Sequence, residues 1–178
     1  MTVRPAAELT HIGFYVADLP VMVQFYEDVL GMVVTDRGTA GGRTWAFMSR
    51  NPTEHHQIVL ATGRPADAFQ LINQISLRLQ CLDDLRTFFH QLSAEGASGL
   101  EAVTHGNSWS VYFLDPEGNR IELYAKSAWY VSQPMRTPVD MAQSVDQLVA
   151  QNDLLTRDDP SRLPLAEWED QMRLKMRG

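Results

Sequence analysis

Three side chains suited to holding a divalent cation stand at matched places in this chain. His11 opens the run His11-Ile-Gly-Phe-Tyr-Val16, Gln74 opens Gln74-Ile-Ser-Leu-Arg-Leu79, and Glu122 lies within Arg120-Ile-Glu-Leu-Tyr124. All three runs alternate, as half-buried strands do. Ile12, Phe14 and Val16 share an apolar face, as do Ile75, Leu77 and Leu79, and Ile121 and Leu123. His11, Gln74 and Glu122 point the other way, toward the inner side of a curled sheet. An imidazole, an amide oxygen and a carboxylate together suit a borderline divalent metal with open positions, acting as a Lewis acid on bound oxygens. A lone strand histidine is more often simply exposed or hydrogen-bonded. His11 rises above that reading because Gln74 is its repeat mate, at an offset of 63 (74 − 11).

That offset recurs. Phe25-Tyr26 matches Phe88-Phe89 at 63, Arg43-Thr-Trp45-Ala-Phe47 matches Asn107-Ser-Trp109-Ser-Val111 at 64, and Ile58-Val-Leu60 matches Ile121-Glu-Leu123 at 63. Four matches in order at a near-constant offset mark a duplicated module. Each copy reads strand, helix, then three strands. The first has a strand over Leu9 to Val16, a helix over Leu19 to Leu30, and strands over Gly31 to Arg37, Arg43 to Ser49 and His56 to Ala61. The second has Ile72 to Gln80, a helix over Leu82 to Ala94, then Leu100 to Thr104, Trp109 to Leu114 and Arg120 to Ala125. Asp18 and Asp83 stand near helix starts, where a carboxylate accepts orphan N–H groups. Gly31 and Gly96 follow the helix ends, where a left-handed residue is wanted. Met22, Phe25, Tyr26, Val29 and Leu30 form the core-facing stripe of the first helix. Asp115-Pro-Glu-Gly-Asn119 is a turn, since Pro fixes φ and Gly accepts positive φ.

The expected class is therefore α+β: paired βαβββ modules (about 8–61 and 72–126, one domain over 1–126) forming a curled mixed sheet cup. A C-terminal, partly helical tail over 127–178 follows. The tail holds four of the nine prolines and no strand pattern. Helices are expected over Val139 to Asn152 and Leu165 to Arg177, with Trp129, Tyr130 and Trp168 as apolar anchors. The tail either wraps the domain or a second subunit, or stays loose.

The totals exclude several classes. The chain has 178 residues, 44% hydrophobic and 21% charged, ordinary for one globular domain. No apolar run approaches the roughly 18 residues of a membrane span, and Met1 to Glu8 lacks an apolar signal region. Cys81 is the sole cysteine, so no intrachain disulfide forms; a cytoplasmic protein is expected. The net charge of −7 argues against a phosphate-backbone partner. No phosphate loop, nucleophile elbow or CxxC is present.

With these residues in place, the chain resembles the vicinal-oxygen-chelate superfamily of glyoxalases, bleomycin-resistance proteins and type I extradiol dioxygenases. The resemblance rests on His11-Ile-Gly-Phe-Tyr-Val-Ala-Asp18, Phe25-Tyr26, Leu30-Gly31, and above all on Tyr112-Phe-Leu-Asp-Pro-Glu-Gly-Asn-Arg-Ile-Glu-Leu-Tyr124. It spans residues 8 to 126 and comes nearest to single-domain biphenyl-2,3-diol or catechol 2,3-dioxygenase-like proteins. The dioxygenases hold Fe(II) with two His and one Glu; His11 and Glu122 match two of these positions, and Gln74 occupies the third. Gln is a ligand in glyoxalase I-like members, but Val59 stands where those members place a Glu. Fe(II) is the implied metal, with Mn(II), Zn(II) and Ni(II) as further candidates.

The resemblance further implies roles for three residues. His56 would be the acid–base catalyst, and His105 and Tyr112 would hydrogen-bond the substrate oxygens. His55, Asn107 and Trp109 are candidate substrate contacts. Motif similarity selects His56, whereas strict strand alternation would put His55 on the face of Glu122; a bulge would reconcile the two. The implied reaction is oxygen-dependent cleavage of a catecholic ring. A metal-dependent lyase or isomerase, or a metal-free binder of aromatic ligands, are the other readings. The implied partners are a small aromatic diol, O₂ and a second copy in a homodimer.

Overall fold

A computed structural model describes residues 7–176. Most of the N-terminal stretch read for a signal, and Arg177 at the end of the last expected helix, lie outside the described residues. The chain divides into two compact units. The first runs up to Leu71 and includes Asp115–Gly118; the second comprises Ile72–Leu114 and the chain from Asn119 on.

In the first unit, β1 (Ile12–Val16) leads into α1 (Leu19–Leu30), followed by β2 (Val33–Ala40), β3 (Arg43–Ser49) and β4 (Ile58–Thr62). The sheet order is β1-β4-β3-β2, with β1 parallel to β4 and the other pairs antiparallel. The helix boundaries follow from local chemistry. Asp18 accepts a hydrogen bond from the Val21 N–H, Pro20 occupies the first turn, and Gly31 closes the helix at φ 61°. Leu19, Met22, Val23, Tyr26 and Leu30 bury the inner face; Phe25 and Val29 of the expected stripe are half-buried.

The turn Asp115–Gly118 gives this unit its most connected carboxylate. Glu117 accepts from the backbone N–H groups of Ala17 (2.7 Å) and Asp18 (2.9 Å) and pairs with the Arg64 guanidinium at 3.1 Å. It therefore satisfies the chain just where β1 gives way to α1. Tyr26, fully buried, directs its hydroxyl to Asp115 at 3.4 Å. Burial first, and the Asp115 charge second, push its phenol pKa well up.

The second unit repeats the plan: β5 (Ile75–Arg78), α2 (Leu82–Ala94), β6 (Glu101–Thr104), β7 (Ser108–Leu114) and β8 (Arg120–Lys126). Again the first strand pairs in parallel with the last, Ile75 opposite Ile121 as Ile12 is opposite Ile58. Both differences, 75 − 12 and 121 − 58, equal the repeat offset of 63. The hairpins differ. Phe47 pairs with Val59 and Tyr112 with Glu122, so the connection from β3 to β4 is longer by two than that from β7 to β8. The equivalent of Phe47 is therefore Tyr112, at an offset of 65 (112 − 47), and the match of Trp45 with Trp109 is out of register by one. Cys81, without a side-chain hydrogen bond, is the N-cap of α2; Asp83 lies in its first turn.

Beyond Lys126 the expectation of no strands is corrected. Three two-residue strands occur, β9 (Trp129–Tyr130), β10 (Thr137–Pro138) and β11 (Leu163–Pro164); β10 extends the second sheet beside β6, and β11 pairs with β9. Such short pieces carry no alternation to read. Helix α3 (Val145–Thr156) starts later than expected because Ser144 and Gln147 form a reciprocal capping box; α4 (Leu165–Met176) follows. Val131, Met141 and Leu148 are fully buried, and Tyr130 stacks on Trp168 with centroids 5.0 Å apart, so the extension is packed. No helix among the described residues is long and apolar enough to cross a membrane.

Replacing Glu117 by Ala leaves two N–H groups without their partner and takes the carboxylate from Arg64, which keeps only the residue-117 carbonyl at 3.2 Å. We expect a loss of about 2–4 kcal/mol of stability, read by chemical denaturation. An unchanged midpoint would show that the Glu117 carboxylate contributes nothing to the first unit.

Candidate active site

Each unit gathers its own cluster. In the first, His11 immediately precedes β1, and the Ile12 N–H donates to the Gln57 carbonyl at 3.0 Å, bringing the start of β1 against the approach to β4. His56, in that approach, meets His11 with ring centroids 4.4 Å apart, edge to face, and rests on Phe47 at 5.3 Å. His55 is exposed and reaches Asp36 at 4.0 Å. The two neighbours touch through their Nδ1 atoms at 2.8 Å, so one donates to the other. The parity question dissolves because β4 begins only at Ile58. Residues 55 and 56 precede the pleat, and alternation does not govern them. Val59 pairs with Phe47 and presents no carboxylate to this face.

The electrostatics of His56 follow from this crowding. Burial lowers its pKa, and the charges of His11 and His55 lower it further against a small opposing pull from Glu54. It stays neutral at pH 7 and is free to accept a proton.

In the second unit the centre is Glu122, only 7% exposed. Strand register explains its neighbours. Ser76 on β5 and Tyr112 on β7 are its cross-strand partners, and Gln74 lies two residues before Ser76 on the same face. The Gln74 amide donates to Glu122 Oε2 at 2.7 Å, Ser76 Oγ donates to the same oxygen, and Tyr112 Oη donates to Oε1 at 2.7 Å. With its NH₂ on Glu122, Gln74 has its carbonyl oxygen left to ligate. Among the described residues the hydrogen-bond partners of Glu122 are all neutral. A carboxylate so desolvated fits a cation, since neutral donors offset only part of its cost. Among the described residues no three His, Cys, Asp or Glu side chains gather as a metal cluster. A metal here would need donors beyond those four residue types, and the Gln74 amide oxygen is one that stands beside Glu122.

Tyr112 links Glu122 to His105, whose Nε2 lies 2.9 Å from the phenol oxygen. Its Nδ1 lies 2.6 Å from the Met135 carbonyl, which only accepts, so Nδ1 carries a hydrogen. Burial, followed by the hydrogen bond to Glu122 and its charge, pushes the Tyr112 pKa up to about 12, so the phenol remains a donor. Arg120 covers its ring at 4.1 Å, and Arg120 and Arg136 both pair with Glu101, at 3.2 and 2.7 Å. Sequence reasoning missed Ser76, Arg120, Glu101 and Arg136. Ser76 was within reach, being two residues from Gln74 on one pleat; the other three depend on pairing register and on the extension.

Two candidates fall away from this face. Trp109, three residues from Tyr112 on an unbroken strand, points to the opposite side and is 4% exposed. Its odd spacing from Tyr112 along the strand sets that side. Asn107 sits in the β6–β7 turn, where its side chain accepts from Ser108 at 3.2 Å. His90 lies exposed on α2, as a surface residue would.

Residues 8–123 match the family model of the Glyoxalase/Bleomycin resistance protein/Dioxygenase superfamily. The chain belongs to that superfamily. Among curated proteins it is similar to biphenyl-2,3-diol 1,2-dioxygenase 3 of Rhodococcus globerulus, 28% identical over 179 residues, covering 88% of this chain and 90% of that one. Among solved structures it is similar to a glyoxylase/bleomycin resistance protein/dioxygenase domain from Frankia sp. EAN1pec, with TM-score 0.61 and 19% identity over 69% of this chain and 94% of that one. It is also similar to the fosfomycin resistance protein FosX of Listeria monocytogenes, solved with Mn(II) and sulfate, with TM-score 0.54 and 17% identity over 69% and 95%. At such identities the solved structures establish the superfamily fold alone.

The crowding of imidazoles gives a testable sign. His56 should titrate below the ordinary histidine value of about 6.5. Stability contributed by its neutral form is full above that value and is lost as pH falls through the lowered one. In an NMR titration, His11→Ala should move the His56 midpoint upward but not fully to the ordinary value, because burial remains the larger cause. A His56 midpoint at or above about 6.5 in the parent protein would refute this account.

Proposed function

We propose that this protein is a metal-dependent extradiol-type dioxygenase that opens a catecholic ring with O₂. In this reading His11, Gln74 and Glu122 donate to one divalent metal, Fe(II) before Mn(II), Zn(II) or Ni(II). The observation that carries it is Glu122, a buried carboxylate whose hydrogen bonds come from an amide, a hydroxyl and a phenol. Membership of the superfamily and the similarity to a biphenyl-diol dioxygenase over nearly the full length support it.

When bound, the metal supplies Lewis acidity toward two adjacent substrate oxygens and open positions beside them. The chain's own residues do the rest. His56, neutral at pH 7, takes the proton that the diol gives up and returns it later in the cycle. Tyr112, a phenol that keeps its proton, gives up its bond to Glu122 and donates to a substrate oxygen, and His105 beside it helps orient the substrate oxygens. Arg120 holds the Tyr112 ring in place by stacking on it. A small aromatic diol and O₂ are the partners of this reaction, and the assembly is proposed as a homodimer.

A lyase or isomerase reading is favoured by one feature, the amide at position 74 where an iron dioxygenase has an imidazole. The two readings separate in one experiment: metal analysis of protein purified without oxygen, then oxygen uptake with a panel of catechols. Stoichiometric iron with ring-cleavage absorbance is expected. Zinc, nickel or manganese with no oxygen uptake would transfer the protein to the lyase reading. No metal after reconstitution would leave an aromatic-ligand binder. In the dioxygenase case, His56→Ala should lower kcat by about 10²- to 10⁴-fold, and Glu122→Ala should abolish metal stoichiometry. Wild-type activity in His56→Ala would remove His56 from the mechanism.

A further inference from the structure

We infer that the C-terminal extension is a clamp that positions His105, and through it the hydroxyl of Tyr112. His105 and Gly106 form the turn between β6 and β7, and residues beyond the family match hold that turn from several sides. Ser127 Oγ and Asn152 Nδ2 both donate to the Gly106 carbonyl, at 2.7 and 2.9 Å. Gln133 Nε2 donates to the His105 carbonyl at 2.8 Å, while its Oε1 accepts from the Met135 N–H at 3.1 Å. One side chain thus fixes the backbone of His105 relative to the carbonyl that receives the His105 ring.

The packing says the same. Gly106 has φ 75°, and a Cβ there would collide with Val131, lie 2.8 Å from Met135 Sδ and press on Thr156. All three belong to the extension, which leaves room only for glycine at this turn. Asn152, 2% exposed, also accepts from Thr104 Oγ1 at 2.6 Å, so α3 is fastened to both sides of the turn.

The consequence is a choice of imidazole nitrogen. The hydrogen bond that one ring nitrogen makes sets which nitrogen is protonated. The Met135 carbonyl draws the hydrogen to Nδ1 and aims Nε2 at Tyr112 Oη, 2.9 Å away. His105 is touched here by backbone of the extension, and Gln133, Ser127 and Asn152 act through it. They are positioning residues. The curated relative aligns over 88% of this chain, more than the two βαβββ modules supply, so its match takes in part of the extension; the Frankia and FosX structures cover 69%. That the clamp serves ring opening rests on the function proposed above; the clamp itself does not.

The test separates the two. Full-length protein with ¹⁵N-labelled histidine is examined by long-range ¹H–¹⁵N NMR, His105 being assigned from His105→Asn. The parent protein should show a proton on His105 Nδ1 that exchanges slowly. In Gln133→Ala, an exposed position whose folding is checked by circular dichroism, that proton should exchange at least about tenfold faster or be lost from Nδ1. Asn152→Asp, isosteric but with an oxygen facing the Gly106 carbonyl, should do the same. With catechol and metal, kcat of Gln133→Ala should fall about 10- to 100-fold with KM nearly unchanged. An unprotonated Nδ1 in the parent, or a His105 spectrum unaltered in a folded Gln133→Ala, would overturn the clamp. The spectral change without ring opening in any form would uphold the clamp and reject the dioxygenase.

Discussion

Glu122 has almost no water around it and takes hydrogen bonds from neutral groups alone. An arrangement like that is expensive to build, since an isolated charge in a protein interior costs several kcal/mol even after relaxation. The second unit is organised to support it. Central placement of β8 between β7 and β5 supplies a partner from each side, Tyr112 from one and Ser76 from the other. Parallel pairing of β5 with β8 is what brings Gln74 into reach two residues earlier. That pairing in turn needs the crossover helix α2, whose Leu82, Leu85 and Leu92 are buried. A folded domain with no use for a charge here would do better with an apolar residue.

The duplicated module has spread its chemistry unevenly. Positions that correspond by strand register are His11 and Gln74, Val59 and Glu122, Phe47 and Tyr112. Only the first pair is polar in both copies. The first unit keeps imidazoles against an aromatic floor, where burial and neighbouring charge favour the neutral form of His56. The second keeps the carboxylate and the phenol, where burial favours a donor that holds its proton. In the function proposed above, this would separate the proton acceptor, His56, from the donor that keeps its proton, Tyr112.

Much of this was legible in the sequence, and the failures have physical causes. The offset of 63 gave the topology because strand-first-with-strand-last pairing preserves it in both copies. Helices α1 and α2 were readable to the residue, since Asp18, Gly31 and the apolar stripe act locally. The match of Trp45 with Trp109 missed the register by one because the turn at Asp115–Asn119 is tighter than the connection between β3 and β4. Hairpin length sets parity, and no composition signal reports it. Alternation misled on His55 and His56, because both precede the strand that it governs. The extension was opaque for a different reason. Its strands are two residues long, and its anchors, Asn152 and Gln133, find their partners far back in the chain, at Gly106 and His105.

The phenol of Tyr112 shows why such distant contacts matter. It has one hydrogen and two acceptors in reach, Glu122 Oε1 at 2.7 Å and His105 Nε2 at 2.9 Å. Left to pKa alone it would stay a donor under all ordinary conditions, and nothing would decide its direction. Geometry decides it. The Met135 carbonyl occupies Nδ1, so Nε2 is the nitrogen that faces the hydroxyl, while the hydrogen lies on the Glu122 side. The hydroxyl's two neighbours are placed by different parts of the chain, Glu122 by the pairing of β7 with β8 and the His105 ring by the extension. In the reaction proposed above a substrate oxygen would have to draw that hydrogen from Glu122, and the extension bears on this through the place it gives the His105 ring.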